Sequence, residues 1–190
     1  MITLDENHVY HDDDGRDIIS VTQALKACGL IDVRWSSEWH RERGKAAHSA
    51  VEYYEQGDLD EASLSPVISP YLEGWKKFKA DTGYVSTAQE RIVFSKMYRY
   101  CGTLDQEGVI DGATCLIDLK TGPYQFWWAY QVAAYNAEAK CRRRYSLELR
   151  DDETYKLTQH KGKQDFQTFL ACLTVANIKI KNKIKDQYER

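Results

Sequence analysis

The stretch Leu116-Ile117-Asp118-Leu119-Lys120-Thr121-Gly122, LIDLKTG, has the composition of a buried strand broken by an acid and a base two residues apart. On a strand, residues i and i+2 share a face. Asp118 and Lys120 then point one way, while Ile117 and Leu119 point the other and anchor the strand in a core. Taken alone, D-x-K is more often a cross-strand salt bridge on a solvated sheet than a site. Its surroundings shift that balance. Thirteen residues earlier CGTLD ends in Asp105, and Asp111-Gly112 between them is a natural hairpin turn. Asp105 therefore lies on or near the adjacent strand, and two carboxylates converge beside one lysine. Like charges so placed raise each other's pKa unless a cation sits between them, and such oxygen ligands suit Mg2+ or Mn2+. A lysine there can orient or help deprotonate a water and hold a phosphate oxygen.

Outward from this stretch the pattern is mixed. Residues 2–20 read as a short hairpin turning at DDDG, followed by a short helix, SVTQALKACGL, capped by Ser20 or Thr22 and ended by Gly29. Residues 35–56 read as a helix with Ala47, Val51 and Tyr54 as its core stripe, and 66–80 as another with Pro70 in its first turn. RIVFSKMYRYCGTLD and GVIDGATCLIDLKTG suit extended structure. QFWWAYQVAAYNAEAKC turns helical, RRYSLELRDDETYKLTQH reads as a hairpin, and residues 164–185 as a long final helix. This order predicts an α/β domain with a central mixed sheet flanked by helices.

With 190 residues, 43% hydrophobic and 29% charged, the chain suffices for one domain with a sizeable core. No linker composition or repeat divides it. The expected layout is an N-terminal hairpin and helices over 1–85, a catalytic core over 86–140, and a C-terminal hairpin and helix over 141–190. The net charge of −3 provides no whole-chain basic field, so an anionic substrate needs local basic patches or metal ions. Five scattered cysteines without a C-x-x-C argue against a disulfide framework or a cysteine-only zinc site. The acidic N-terminus is no signal peptide, and no apolar run approaches membrane-spanning length. A soluble, cytoplasmic protein without membrane contact is the expectation.

GTLD, twelve residues, DLKTG and then YQVAAY, together with RGKAAHSAVEYYEQGDLD before them, resemble the PD-(D/E)XK nuclease superfamily, and within it the RecB-like exonucleases that include many phage-encoded ones. The ordered match runs over most of residues 8–170. The resemblance implies a restriction-endonuclease-like core and a Mg2+- or Mn2+-dependent deoxyribonuclease acting in recombination, repair or degradation. It further implies that Asp105 and Asp118 bind metal with the Leu119 carbonyl, that Lys120 is the catalytic lysine, and that His48 completes the metal shell. Gln131 and Tyr135 match the helix after the catalytic strand, and Glu90 an acid before the second strand. Gln131 and Tyr135 stand four residues apart and share a helix face; residue pattern alone favours Tyr135 as a core residue and Gln131 as the cap of a sheet edge.

Arg41, Arg43 and Lys45, just before His48, are candidates for gripping DNA phosphates; a solvated helix face explains them equally. Arg142, Arg143 and Arg144 form the densest basic run, readable as a DNA-backbone contact or a solvated turn. Lys179, Lys181, Lys183 and Lys185 spread around the last helix and read chiefly as solubility. Phe126, Trp127, Trp128 and Tyr130 could stack on bases, with core packing expected for at least two. Leu104 replaces the proline common before the first acid. Only Cys172 lies late in the chain, so the four-cysteine iron–sulfur cluster of some RecB-like members is not expected. No phosphate-loop motif is present, so unwinding would need a partner. A homo-oligomer or a recombination partner is compatible with the sequence. The readings from other classes are a DNA-binding or assembly module with little cleavage, and a structure-specific endonuclease on the same fold.

Overall fold

The computed structural model describes residues 2–32 and 37–184. Trp35, Ser36 and Lys185, which the sequence reading placed in helices, lie outside the described residues.

Among the described residues, eight strands form one sheet. β1 (Thr3–Leu4), β2 (Tyr10–His11) and β3 (Asp17–Ser20) are antiparallel neighbours, so the N-terminal hairpin carries an extra strand. β4 (Val85–Ser95), β5 (Tyr100–Ile110) and β6 (Ala113–Lys120) form an antiparallel meander. Asp111 and Gly112 join β5 to β6 with φ of 51° and 70°, the two positive values of a type I′ turn, whose twist matches the strands it connects. The helix α4 (Trp128–Ala139) then crosses over, and β7 (Arg143–Leu149) returns parallel to β6. β8 (Tyr155–Gln159) closes that end of the sheet, antiparallel to β7.

Helix ends follow local chemistry. α1 (Val21–Ala27) starts at a capping box: the Gln23 amide donates to Ser20 Oγ at 3.0 Å, and the Ser20 amide donates to Gln23 Oε1 at 2.8 Å. Ser20, and not Thr22, is therefore the cap. α2 (Glu38–Gln56) begins at Ser37 and ends at Gly57, which takes φ 76°. α3 (Ser69–Thr82) has Pro70 in its first turn and ends at Gly83 with φ 63°. α4 starts at Trp128, later than its composition suggests, because residues 126–127 form a turn in which the Trp128 amide donates to the Gln125 carbonyl at 3.2 Å. The final helix, α5 (Asp165–Lys181), carries Lys179, whose ammonium donates to the Ala27 carbonyl.

Helices cover both sheet faces. On one, α1, α4 and α5 bury Val93, Tyr100, Leu104 and Leu116. On the other, α2 and α3 bury Ile117, Leu119, Leu147 and Leu149, so Ile117 and Leu119 do anchor β6 in the core. Ala47 and Val51 are buried there as expected, and Tyr54 packs at the margin.

Candidate active site

One edge of β5 changes partner along its length. Gln106–Ile110 pair with β6, while Tyr100–Cys101 pair with β3; between them, residues 102–105 have no strand on that edge among the described residues. Asp105 sits where β6 departs. Its Oδ2 accepts the Leu119 amide at 2.6 Å, replacing the lost ladder bond. Within one strand residue the carbonyl points to the same edge as the amide, so the Leu119 carbonyl also faces this gap. Strand alternation breaks here too. Leu104 packs beneath α1, α4 and α5, yet Gln106, two residues on, receives the Tyr84 hydroxyl from the opposite cluster. Opposite, β4 bulges between Ser86 and Ala88, and Glu90 is held at φ 45°. A non-glycine residue in that region is strained, and such strain concentrates at functional sites.

The gap collects acids and a histidine. Ligand atoms of His48, Glu90 and Asp105 all lie within 4.8 Å of one another. His48 Nδ1 is 3.7 Å from Asp105 Oδ1. Asp118 lies alongside, 2% exposed, with Oδ2 2.5 Å from Lys120 Nζ but without a well-directed hydrogen bond. Burial pushes Asp118 above the usual carboxylate range, reinforced by the Asp105 charge and opposed by Lys120. Glu90, at the open rim, is pushed up to about 7 by burial, then by the charge of Asp105. Asp105 goes the other way: burial would raise it, but His48, Lys120 and the Leu119 amide together hold it below its ordinary value. Burial disfavours the imidazolium of His48, and Asp105 overcomes it, so His48 is raised. Hard carboxylates plus one imidazole, with ligand atoms of His48, Glu90 and Asp105 within 4.8 Å of one another, fit a divalent cation.

Lys120 continues the network into α4. Its ammonium donates to Gln131 Oε1 at 2.8 Å, and Gln131 Nε2 donates to the Tyr135 hydroxyl at 3.1 Å. The Trp127 and Trp128 rings lie 5.5 and 5.6 Å from Lys120 Nζ. Tyr135 is thus both a core residue and the end of the chain of hydrogen bonds. Its ring lies flat on β5 at Gly102, where an added Cβ would stand 2.3 Å from Tyr135 Cε1. Gly102→Ala is therefore expected to cost about 1–3 kcal/mol by overpacking, lowering Tm by about 2–12 °C. In a Tyr135→Ala background the same substitution should cost clearly less, read by thermal melts of the four variants.

The structure separates the basic candidates. Arg43 docks α2 onto the end of β6: Nη2 donates to the Thr121 carbonyl at 2.9 Å, and the guanidinium lies 4.8 Å from the Trp39 ring. Gly44 permits that approach, its position being 3.3 Å from Thr121 Oγ1 for an added Cβ. Arg41 and Lys45 are exposed on the same helix, Lys45 3.8 Å from Glu42. Arg142, Arg143 and Arg144 are not brought to the site. Arg143 pairs in register with Cys115, five residues from Lys120 and so roughly 16 Å away along β6. Arg144 is committed to Asp165 at 2.6 Å and to the Gly162 carbonyl at 2.8 Å, which ties β7 to the start of α5. Arg144→Ala should destabilise the fold by about 1.5–3 kcal/mol, measured by thermal melts. Of the aromatic group, Trp128 is buried, Trp127 and Tyr130 pack against the core, and Phe126 is 53% exposed.

The resemblance gave Glu90 only as an acid before the second strand, outside the metal set. The fold puts it beside Asp105, across an irregular strand pair that no periodicity reveals. The docking roles of Arg43 and Gly44 were likewise invisible, though a glycine in mid-helix was a signal of close approach.

The described residues thus form a mixed sheet with an acid-lined gap at the end of β6, beside Lys120. No protein-family model matches this chain, and no curated protein matches it in sequence. Solved structures do match in fold. A protein of Eubacterium rectale proposed to be an exonuclease aligns with a TM-score of 0.60 at 15% identity, covering 89% of this chain and 83% of its own. The alkaline exonuclease LHK-Exo of Laribacter hongkongensis aligns with a TM-score of 0.52 at 10% identity, covering 88% and 89%. The chain has the fold of these two solved structures. Among the described residues no helix is long and apolar enough to cross a membrane.

Proposed function

We propose that this protein is a divalent-metal-dependent deoxyribonuclease, and specifically an exonuclease of the phage type that shortens DNA from its ends in recombination, repair or degradation. The observation that carries the reading is the joining of two sets in one gap: His48, Glu90 and Asp105 within 4.8 Å of one another, and Asp118 bound to Lys120 at 2.5 Å. In this reading His48, Glu90, Asp105, Asp118 and the Leu119 carbonyl hold Mg2+ or Mn2+, which supplies Lewis acidity and a more acidic water.

The chain's own residues then divide the work. Asp118 holds the Lys120 ammonium, and Gln131 receives an N–H from it, so the ammonium is positioned from two sides. Lys120 orients the attacking water and a non-bridging phosphate oxygen, and stabilises the charge that grows as the 3′ oxygen leaves. Tyr135 fixes Gln131 from behind. Trp127 and Trp128 shield one side of the ammonium from solvent.

The test is a time course on end-labelled linear and closed circular DNA with Mg2+, Mn2+ or chelator. Linear DNA degraded only with metal, and circles left intact, is the expected result. Cut circles would replace the exonuclease with an endonuclease. Binding without degradation under every metal condition would overturn the enzyme reading in favour of a DNA-binding module.

A further inference from the structure

A row of charge crosses the sheet beside Lys120 and is not used by the site above. Lys120 pairs in register with Glu148 on β7, and Glu148 with Lys156 on β8. The alternate residues Tyr145, Leu147, Tyr155 and Leu157 pack into the opposite face, so Lys120, Glu148 and Lys156 share the face that α4 covers. Glu148 is only 6% exposed, and its Oε1 has no hydrogen bond. The cation it meets is Lys156, with Nζ 3.7 Å away and the side chain 53% exposed. A carboxylate buried on such terms is costly; here it steadies the stem of an exposed lysine.

A ring completes the arrangement. Lys156 Nζ lies 5.7 Å from the centre of Tyr124, which is 46% exposed on the segment joining β6 to α4. Tyr124 leans edge-on against Trp128 at 5.4 Å, and Trp128 is one of the two rings beside Lys120. A continuous path therefore leads from Lys120 over Trp128 and Tyr124 to Lys156. Two strand spacings separate the lysines, about 10 Å between backbones. That span passes beyond a phosphate held at Lys120 to another phosphate of the same strand.

We propose that Tyr124 and Lys156 form a subsite for the nucleotides flanking the cut, with Lys156 on a backbone phosphate, Tyr124 stacked on a base, and Glu148 as the positioning residue for Lys156. The proposal rests on the nuclease reading of the Lys120 site. A lysine on phosphate carries no sequence information, and ring stacking tolerates every base. The subsite therefore grips any strand while the site beside it cuts.

The test compares wild type with Tyr124→Ala, Tyr124→Phe, Lys156→Gln and Glu148→Gln/Lys156→Gln. Binding of a fluorescein-labelled single-stranded oligonucleotide is followed by anisotropy in chelator over a salt series, and its cleavage is followed with metal. Tyr124→Ala should weaken binding about 5- to 100-fold with an unchanged salt slope, and Tyr124→Phe should bind like wild type. Lys156→Gln should reduce the slope of log K against log salt by about 0.7. Both Tyr124→Ala and Lys156→Gln should raise KM with kcat within about twofold. The double variant removes the buried charge that Lys156→Gln strands, so it keeps the test valid where the single variant melts early. Wild-type affinity and salt slope in Tyr124→Ala and in the lysine variants would overturn the subsite, as would a fall in kcat with KM unmoved. Absence of cleavage by wild type would refute the nuclease reading instead, and the binding arm would still decide the subsite.

Discussion

Lys120→Ala should slow cleavage of linear DNA by about 10²- to 10⁴-fold, the range removed with a positioned proton-transfer group. The ammonium has two protein partners on the gap side, Asp118 and Gln131, so no neighbouring group inherits its place. Lys120→Met separates chemistry from packing, since it keeps the stem between Trp127 and Trp128. Removing the cation also strands Asp118, which is 2% exposed, so both variants should melt earlier than wild type. Asp118→Asn/Lys120→Met relieves that charge and should recover Tm without recovering activity. Single-turnover rates on end-labelled DNA, alongside thermal melts, read both effects. Because Asp118 and Lys120 act as a unit, the double variant should be no slower than the worse single one. Full activity in purified Lys120→Ala and Asp118→Asn would remove these residues from the chemistry.

Metal removal should reshape the pH dependence of stability. Glu90 is pushed up to about 7 in the folded chain, Asp118 is raised, and His48 is raised. For each, the folded state holds protons more tightly than the unfolded state. Their stabilisation is present in mild acid and is lost as pH rises through the folded values. Asp105 is lowered, and its contribution is lost instead as pH falls into the carboxylate range. Chelated protein should therefore lose Tm as pH rises from mild acid through the folded value of Glu90, about 7, with His48 adding to the loss above the ordinary imidazole range. A cation in the gap favours the ionised carboxylates and reverses the trend. At 100 times its Kd it adds about 2.7 kcal/mol, which raises Tm at pH 8 by about 5–11 °C. Glu90→Gln should flatten the decline of the chelated protein and shrink the metal-induced rise. A Tm at pH 8 that responds to neither Mn2+ nor Mg2+ would separate this cluster from metal binding.

Local rules of sequence carried much of the fold. Asp111-Gly112 dictated the hairpin that sets β5 beside β6, because both residues accept the positive φ a type I′ turn requires. Alternation in LIDLKTG divided Asp118 and Lys120 from Ile117 and Leu119, and the two core clusters respect that division. The spacing of four between Gln131 and Tyr135 put both on one turn of α4, where they bond to each other. Local signals overran at helix starts, since composition around Phe126 and Trp127 favours helix while these residues form a turn leading into α4.

By itself, then, the sequence determined the strand carrying the acid and the lysine, the turn that pairs it with β5, and the helix that follows. These depend on φ preferences and on periods of two and 3.6, which operate over a few residues. Only the tertiary structure decided that Glu90 joins His48 and Asp105, that Arg144 is spent on Asp165, and that Lys120, Glu148 and Lys156 stand in one row. The reason is physical: register across three strands, the break in β5 at Asp105 and the seating of α2 against Thr121 are set by packing between segments far apart in the chain, and no local preference encodes them.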